Sequence, residues 1–248
     1  MATINRLTAK EAAKLFIDKH FPDCQGALLA GSTVRGEGTA TSDLDIVIFT
    51  EAVKLSYRES LIDFGWPIEV FVHTTTSYKH FFEMDYHNAK PSMQRMVVEG
   101  IVLKDEGIIE AIKLEAKEIL DQGPETWTDE IITVKRYFIT DVLDDFIGST
   151  NRAEELFTAN TLADLIQEFV LRTNGHWTGS SKWVIRSLQQ YDKKFTAEFV
   201  ESFDEYYKNG VKSKVISLTE TVLAPYGGRL FEGFSLGKNE AAGGTVIE

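Results

Sequence analysis

The chain of 248 residues is short of basic side chains, of cysteine and of long apolar runs. It has 26 lysines and arginines against 38 aspartates and glutamates, which gives a formal charge of −12. A protein whose main partner is a nucleic acid usually has a basic surface, so this balance makes a nucleic-acid partner unlikely. An acidic cleft attracts small cationic substrates instead, although an acidic surface also serves solubility alone.

Cysteine occurs once, at Cys24. A single cysteine excludes an intramolecular disulfide and a cysteine-based zinc cluster. The five histidines show no metal-ligand spacing, so no zinc site is expected. No apolar run approaches the roughly 18 residues that a membrane span needs, and the first ten residues lack the apolar core of a signal peptide. These absences predict a cytoplasmic protein without a membrane partner.

Two kinds of pattern divide the chain. Residues 1–105 begin with a capping box, Thr8-x-x-Glu11, before a helical pattern. Another helical pattern covers 78–87, and short apolar runs typical of strands lie at 26–30, 44–50, 55–64, 68–73 and 101–104. Residues 106–248 show only helical periodicity, at 108–122, 128–147, 150–173, 181–191, 196–208 and 211–223. The expected fold class is α+β, with a small mixed-sheet domain over 1–105 followed by a C-terminal helical bundle over 106–248.

The most informative segment joins two of the predicted strands. Gly31 and Ser32 end the first apolar run, and the sequence Ser-Asp-Leu-Asp at positions 42–45 opens the next. Asp43 and Asp45 are two residues apart at the start of a strand, so both carboxylates point to one face. The Gly-Ser turn has exposed backbone N–H groups that could hold a phosphate. Such a site can hold a divalent metal and a nucleoside triphosphate together.

Glu69 is an acidic residue within the apolar strand 67–73. A lone carboxylate is costly to bury, so Glu69 is expected to have a metal or a basic partner. Magnesium prefers oxygen ligands, and a third carboxylate would complete a two-ion clamp on the attacking and leaving oxygens. Each part alone has a plainer explanation, because Ser-Asp-x-Asp also serves as turn chemistry and Glu69 could be a salt-bridged edge residue. The joint order of these parts is much more specific.

This joint pattern resembles the signature of the polymerase-β-type nucleotidyltransferase superfamily. In that signature Gly-Ser, a glycine-containing loop and Asp-x-Asp entering a strand follow one another, and the twelve positions from Gly31 to Asp43 are similar to the spacing of kanamycin nucleotidyltransferases. A looser resemblance to bacterial antibiotic nucleotidyltransferases, with a catalytic domain and a helical bundle, covers the whole chain. The resemblance implies transfer of a nucleoside monophosphate to a hydroxyl of a small cationic acceptor such as an aminoglycoside. The donor would be ATP, which supplies AMP, or another nucleoside triphosphate, which supplies its own monophosphate. Pyrophosphate is then released.

Carried over by position, the resemblance implies a role for each residue of the motif. Gly31 and Ser32 would cradle the β- and γ-phosphates. Asp43 and Asp45 would bind two Mg²⁺ ions. Glu69 would ligate one ion and take the proton of the acceptor hydroxyl, although the superfamily sometimes places the base in the second domain.

Further polar residues complete the predicted nucleotide site. Ser42 belongs to the same motif, and the guanidinium of Arg35 in the loop could bind phosphate through two nitrogens or remain a solvated charge. Lys182 and Arg186 are four residues apart, so they share a helix face. They could reach the triphosphate, or they could form a solvated basic edge around Trp183.

Three aspartates in the helical half form an acidic cluster. Asp141, Asp144 and Asp145 could receive a cationic acceptor, and a solvated helix face is the alternative. Two other functions stay open: modification of a protein or a tRNA, and a nucleotide-binding regulatory or antitoxin-like module without turnover. The sequence fixes neither the acceptor nor the oligomeric state.

Overall fold

The computed structural model describes residues 6–238. The chain forms two compact units, Met1–Pro124 and Glu125–Glu248. The division at 105/106 drawn from the sequence assigned the segment 108–122 to the helical part. In the structure this segment lies in the first unit, because Ile109, Ile112 and Ala116 pack into the same core cluster as sheet residues.

The first unit is built on one sheet of five strands. Its order is β3-β4-β2-β1-β5, in which β2 and β4 run parallel and the other neighbours antiparallel. The mixed sheet confirms the α+β fold expected from the sequence. The strands are β1 (Gly26–Ala30), β2 (Leu44–Phe49), β3 (Tyr57–Asp63), β4 (Trp66–His73) and β5 (Ile101–Asp105).

Four helices cover this sheet: α1 (Ala9–His20), α2 (Tyr78–His87), α3 (Ser92–Glu99) and α4 (Ile109–Gln122). Helix α1 begins at the predicted capping box, where the Thr8 N–H donates to the Glu11 carboxylate at 3.0 Å and the Glu11 N–H donates to Thr8 Oγ1 at 3.3 Å. Helix α3 was not predicted. It has only eight residues and no side-chain cap at Pro91, so its sequence pattern is short and has no start signal.

Alternating side chains of β2 divide the core into two layers. Leu44, Ile46 and Ile48 join the cluster that includes α1, whereas Val47 and Phe49 join the cluster of α2, α3 and α4. The acidic side chain at position 45 has the same parity as Val47, so Asp45 lies on the second of these faces.

A tight turn joins β3 to β4. Its two residues, Phe64 and Gly65, have φ angles of 48° and 74°, as a type I′ hairpin turn requires. The sequence predicted a turn over 65–67, but Trp66 and Pro67 already pair with β3. Pro67 is tolerated there because pairing of β4 with β2 begins one residue later, at Ile68.

The described part of the second unit, residues 125–238, contains helices joined by loops and no strand. The helices that sequence periodicity predicted are all present, and their bounds are α5 (Asp129–Gly148), α6 (Arg152–Thr173), α7 (Lys182–Tyr191), α8 (Lys193–Asn209) and α9 (Ser213–Leu223). Their apolar faces enclose a separate core that includes Leu143, Phe146, Phe169 and Tyr206. Among residues 6–238, no helix combines the length and the hydropathy needed to cross a membrane.

Candidate active site

Three strands of the first unit meet at the candidate site. In the register of the sheet, Asp45 of β2 lies opposite Ala30 of β1 on one side and opposite Glu69 of β4 on the other. Because β1 is antiparallel to β2 and β4 is parallel to it, the end of β1 meets the starts of β2 and β4. Gly31, which follows β1, is therefore a neighbour of Asp45.

The three acidic residues singled out in the sequence come together here. Asp43, Asp45 and Glu69 are half-buried, and one carboxylate oxygen from each lies within 4.8 Å of the other two. Three hard oxygen donors on one sheet face suit a magnesium ion, which takes carboxylates together with substrate phosphates. The residues present therefore fit the metal that the motif implies.

The environment of Asp45 disfavours the charged form of its carboxyl group. Burial raises the pKa of its carboxyl group from the usual 3.8 to about 6, and repulsion from Asp43 and Glu69 adds to the rise. Arg58 and Arg35 are close enough to oppose this pKa shift. The three carboxylates hold more negative charge than the nearby basic groups compensate, so the site favours binding of a cation.

Glycine at position 31 is required by the geometry. Its φ angle is +79°, and a Cβ atom added there would lie 1.9 Å from Oδ2 of Asp45. Any side chain at Gly31 would displace the Asp45 carboxylate, because no space is left for a Cβ atom. The positive φ angle also disfavours every residue except glycine. The sequence motif pointed to phosphate binding at this glycine, and the structure adds this close approach to an acidic side chain.

Hydrogen bonds to the Ser42 hydroxyl close the loop between β1 and β2. The Ser42 hydroxyl accepts the backbone N–H of Thr39 at 2.8 Å and contacts the Ser32 hydroxyl at 3.3 Å. The Glu37 N–H donates to the carbonyl of Ser32 at 3.0 Å. Ser32 and Ser42, predicted to bind the nucleotide, are thus joined at the base of one loop, directly before Asp43.

Arg35 ties the same loop to helix α3. Its Nη1 atom donates to Glu99 at 2.8 Å and its Nε atom to Glu37 at 3.1 Å. Arg35 is therefore not the freely solvated loop charge that the sequence left open. The contact between Arg35 and Glu99 could not be predicted from the sequence, because Glu99 lies 64 residues further along, on the helix that was not predicted.

Arg58 of β3 is a second basic residue at the site and was also missed. Its Nη2 atom donates to both carboxylate oxygens of Glu69, at 2.5 Å each. The guanidinium carbon lies 5.0 Å from the ring centre of Phe71, which supports the side chain by a cation–π contact. Glu69 was expected to have a metal or a basic partner, and Arg58 is that basic partner. Its position depends on the β3–β4 register, which the sequence pattern does not specify.

The remaining candidates lie in the second unit. Lys182 is exposed at the start of α7, and one turn later the guanidinium of Arg186 lies 5.0 Å from the ring centre of Trp183. The three aspartates of the acidic cluster, Asp141, Asp144 and Asp145, are exposed on α5. Asp144 also accepts from Arg229 at 2.9 Å, so part of the cluster's charge is compensated.

The sequence and the fold were compared with those of known proteins. No curated protein matches the sequence. Among solved structures, a nucleotidyltransferase-like protein from Exiguobacterium sibiricum is similar, with a TM-score of 0.47 and 10% identity, over 87% of this chain and 74% of that one. The family model described as "Nucleotidyltransferase domain" matches residues 13–83, from α1 into α2. The matched segment contains all three clustered carboxylates.

Residues 13–83, which include the three carboxylates, thus form a nucleotidyltransferase domain. Such a domain implies a nucleoside triphosphate as substrate and transfer of its nucleoside monophosphate.

Proposed function

We propose that this enzyme uses magnesium to transfer AMP from ATP to a hydroxyl group of a small cationic acceptor, and that an aminoglycoside is such an acceptor. The observation that carries the proposal is the convergence of Asp43, Asp45 and Glu69 within 4.8 Å. Phosphoryl-type transfer needs positioning and charge neutralisation more than covalent help, and this cluster supplies both once it holds cations.

Different residues of the site would bind the metal ions and the phosphates. Asp43 and Asp45 would hold two magnesium ions, and Glu69 would share one of them. Bound there, the ions neutralise the triphosphate and stabilise the attacking and leaving oxygens. The Gly31–Ser32 turn would bind the β- and γ-phosphates through backbone N–H groups.

The bond changes balance without any further reactant. The acceptor oxygen forms a bond to the α-phosphorus, and the bond from the α-phosphorus to the bridging oxygen of the β-phosphate breaks. Pyrophosphate leaves with that electron pair. The hydroxyl proton passes to a carboxylate, and we assign this role to Glu69, whose oxygens Arg58 holds in place.

Substrate selection rests on charge. The acidic balance of the chain favours a cationic acceptor. We assign acceptor binding to the exposed aspartates of α5, Asp141, Asp144 and Asp145. We assign triphosphate contacts to three basic side chains, because guanidinium and ammonium groups bind phosphate oxygens. These residues are Arg35, Lys182 and Arg186.

A screen of donors and acceptors tests the proposal. ATP, GTP, CTP and UTP are each incubated with the enzyme, magnesium and an aminoglycoside, a lincosamide or a simple polyol, and pyrophosphate release and product mass are recorded. The expected result is release with ATP and an aminoglycoside, and an acceptor heavier by one AMP group. Label from ATP that follows protein or tRNA in a cell extract would assign a macromolecular acceptor instead. ATP binding without pyrophosphate release across the panel would indicate a nucleotide-binding module.

A further inference from the structure

We infer that Arg58 acts as a resident counter-cation of the carboxylate site and lowers the affinity of the nucleotide-free enzyme for divalent metal ions. The inference rests on the proposed function, which places metal ions at Asp43, Asp45 and Glu69. It concerns a residue of β3 that lies outside the Gly-Ser and Asp-x-Asp motifs. Its consequence is that metal ions bind firmly only when the triphosphate adds its own negative charge.

The position of Arg58 is fixed by the sheet. In the β3–β4 pairing Arg58 lies opposite Phe71, and Ser60 lies opposite Glu69. The arginine therefore reaches diagonally along one face to the carboxylate, a distance that long side chains span. Its contact with the Phe71 ring holds the guanidinium over the strand, although 59% of the side chain is exposed.

Arg58 compensates charge without blocking the site. Its Nη2 atom contacts both oxygens of Glu69. A carboxylate has about four acceptor positions, so each Glu69 oxygen keeps one for a metal ion. Arg58 also interacts favourably with Asp43 and Asp45, which shows that its charge acts on the whole cluster.

Arg35 is a second basic residue near the carboxylates, but it pairs with other acidic side chains. Arg35 is held in ion pairs with Glu37 and Glu99, so its charge is largely shared with those carboxylates. The triad and Arg58 together have a net charge of two negative units, and removing the guanidinium charge would make it three. A divalent ion should bind the more negative cluster more tightly.

The test is a calorimetric titration of Mn²⁺ into the full, nucleotide-free chain at pH 8, where the pKa of Asp45, about 6, leaves the carboxylate ionised. Arg58→Gln should bind Mn²⁺ about tenfold more tightly than the wild type, because a cation near the ion is lost. Arg58→Lys keeps the charge and should stay within about twofold of the wild type. Lys79→Gln is the matched control, since it removes one positive charge at an exposed ion pair with Glu115 and should leave the affinity unchanged.

Two outcomes separate this inference from the proposed function. If Asp45→Asn loses Mn²⁺ binding while Arg58→Gln binds as the wild type does, or more weakly, the counter-cation role is overturned and the metal site stands. If the wild type and Asp45→Asn bind Mn²⁺ equally, the metal site itself is contradicted, and the inference falls with it. Circular dichroism of each variant shows that the fold is retained.

Discussion

At the scale of single residues, the site depends on a close approach between a glycine and a carboxylate. Gly31 leaves the space that Asp45 occupies, and burial together with repulsion from Asp43 and Glu69 raises the pKa of the Asp45 carboxyl group. Gly31 follows β1, whereas Asp45 lies within β2. Substitutions at the two positions test different physical causes, namely space at Gly31 and buried charge at Asp45.

Gly31→Ala should abolish nucleotidyl transfer, because its Cβ would lie 1.9 Å from Oδ2 of Asp45. Gly36→Ala is a matched control. Its φ angle of +73° causes similar backbone strain, but no heavy atom of residues 6–238 beyond its chain neighbours lies within 4 Å of the added Cβ. Backbone strain should cost each variant roughly 1 kcal/mol of stability, and Gly31→Ala should lose more because of the overlap with Asp45. Measured turnover should be lost only in Gly31→Ala, and equal activity of the two variants would contradict the steric argument.

Asp45→Asn should stabilise the metal-free protein at high pH. The pKa of Asp45 rises from 3.8 to about 6 on folding, so the folded state binds more protons and stability falls as pH increases between these values. Above pH 6 the ionised carboxylate costs up to about 3 kcal/mol of the free energy of unfolding. Denaturant unfolding in EDTA should show the variant about 1–3 kcal/mol more stable at pH 8, with the gain shrinking towards pH 4. A gain that does not change with pH would contradict the assignment.

At the scale of elements, the loop between β1 and β2 and the strand register together assemble the site. The loop supplies Ser32, Ser42 and Asp43, and hydrogen bonds that the Ser42 hydroxyl accepts from Ser32 and Thr39 fix its base. The parallel pairing of β2 with β4 then brings Glu69 next to Asp45.

Ser42→Ala should weaken triphosphate binding by loosening this loop. It removes the acceptor of the Thr39 N–H, and a typical hydrogen bond contributes about 1 kcal/mol. Steady-state kinetics should show KM for ATP raised about fivefold with little change in Mn²⁺ affinity. The neighbouring variant Thr41→Ala loses only an exposed hydroxyl contact to Thr39 and should change KM by less than about twofold. Equal effects in both variants would mean that Ser42 has no special part in the loop.

Elements formed by local periodicity could be predicted from the sequence. The amphipathic helices and the strands around the motif follow from apolar spacing, and the acidic triad follows from strand alternation within β2 and a lone acid in β4. Contacts that depend on pairing could not be predicted. The Arg58–Glu69 pair requires the hairpin register set by Phe64 and Gly65, and the Arg35–Glu99 pair requires a short helix without a cap signal.

At the scale of the whole molecule, the two units have separate cores. The sheet of the first unit is packed on both faces by its own helices, and the second unit encloses its own apolar cluster. All three carboxylates, Gly31 and Arg58 lie in the first unit. The residues proposed to hold the metal ions therefore all lie in the first unit.

A fragment of residues 1–124 should fold and bind Mn²⁺ with an affinity within about threefold of the full chain. It should not transfer AMP, because we assign acceptor binding to the aspartates of α5. Calorimetry and circular dichroism of the fragment check this prediction. A folded fragment without Mn²⁺ binding would show that the metal site needs the second unit.

The dependence of AMP transfer on the triad tests the central claim most directly. Wild-type enzyme and Asp45→Asn are incubated with ATP and an aminoglycoside, in magnesium or in EDTA, and the adenylylated acceptor is measured by mass spectrometry. The account predicts product only from the wild type in magnesium. Product from the wild type in EDTA, or from Asp45→Asn at the wild-type rate, would contradict it.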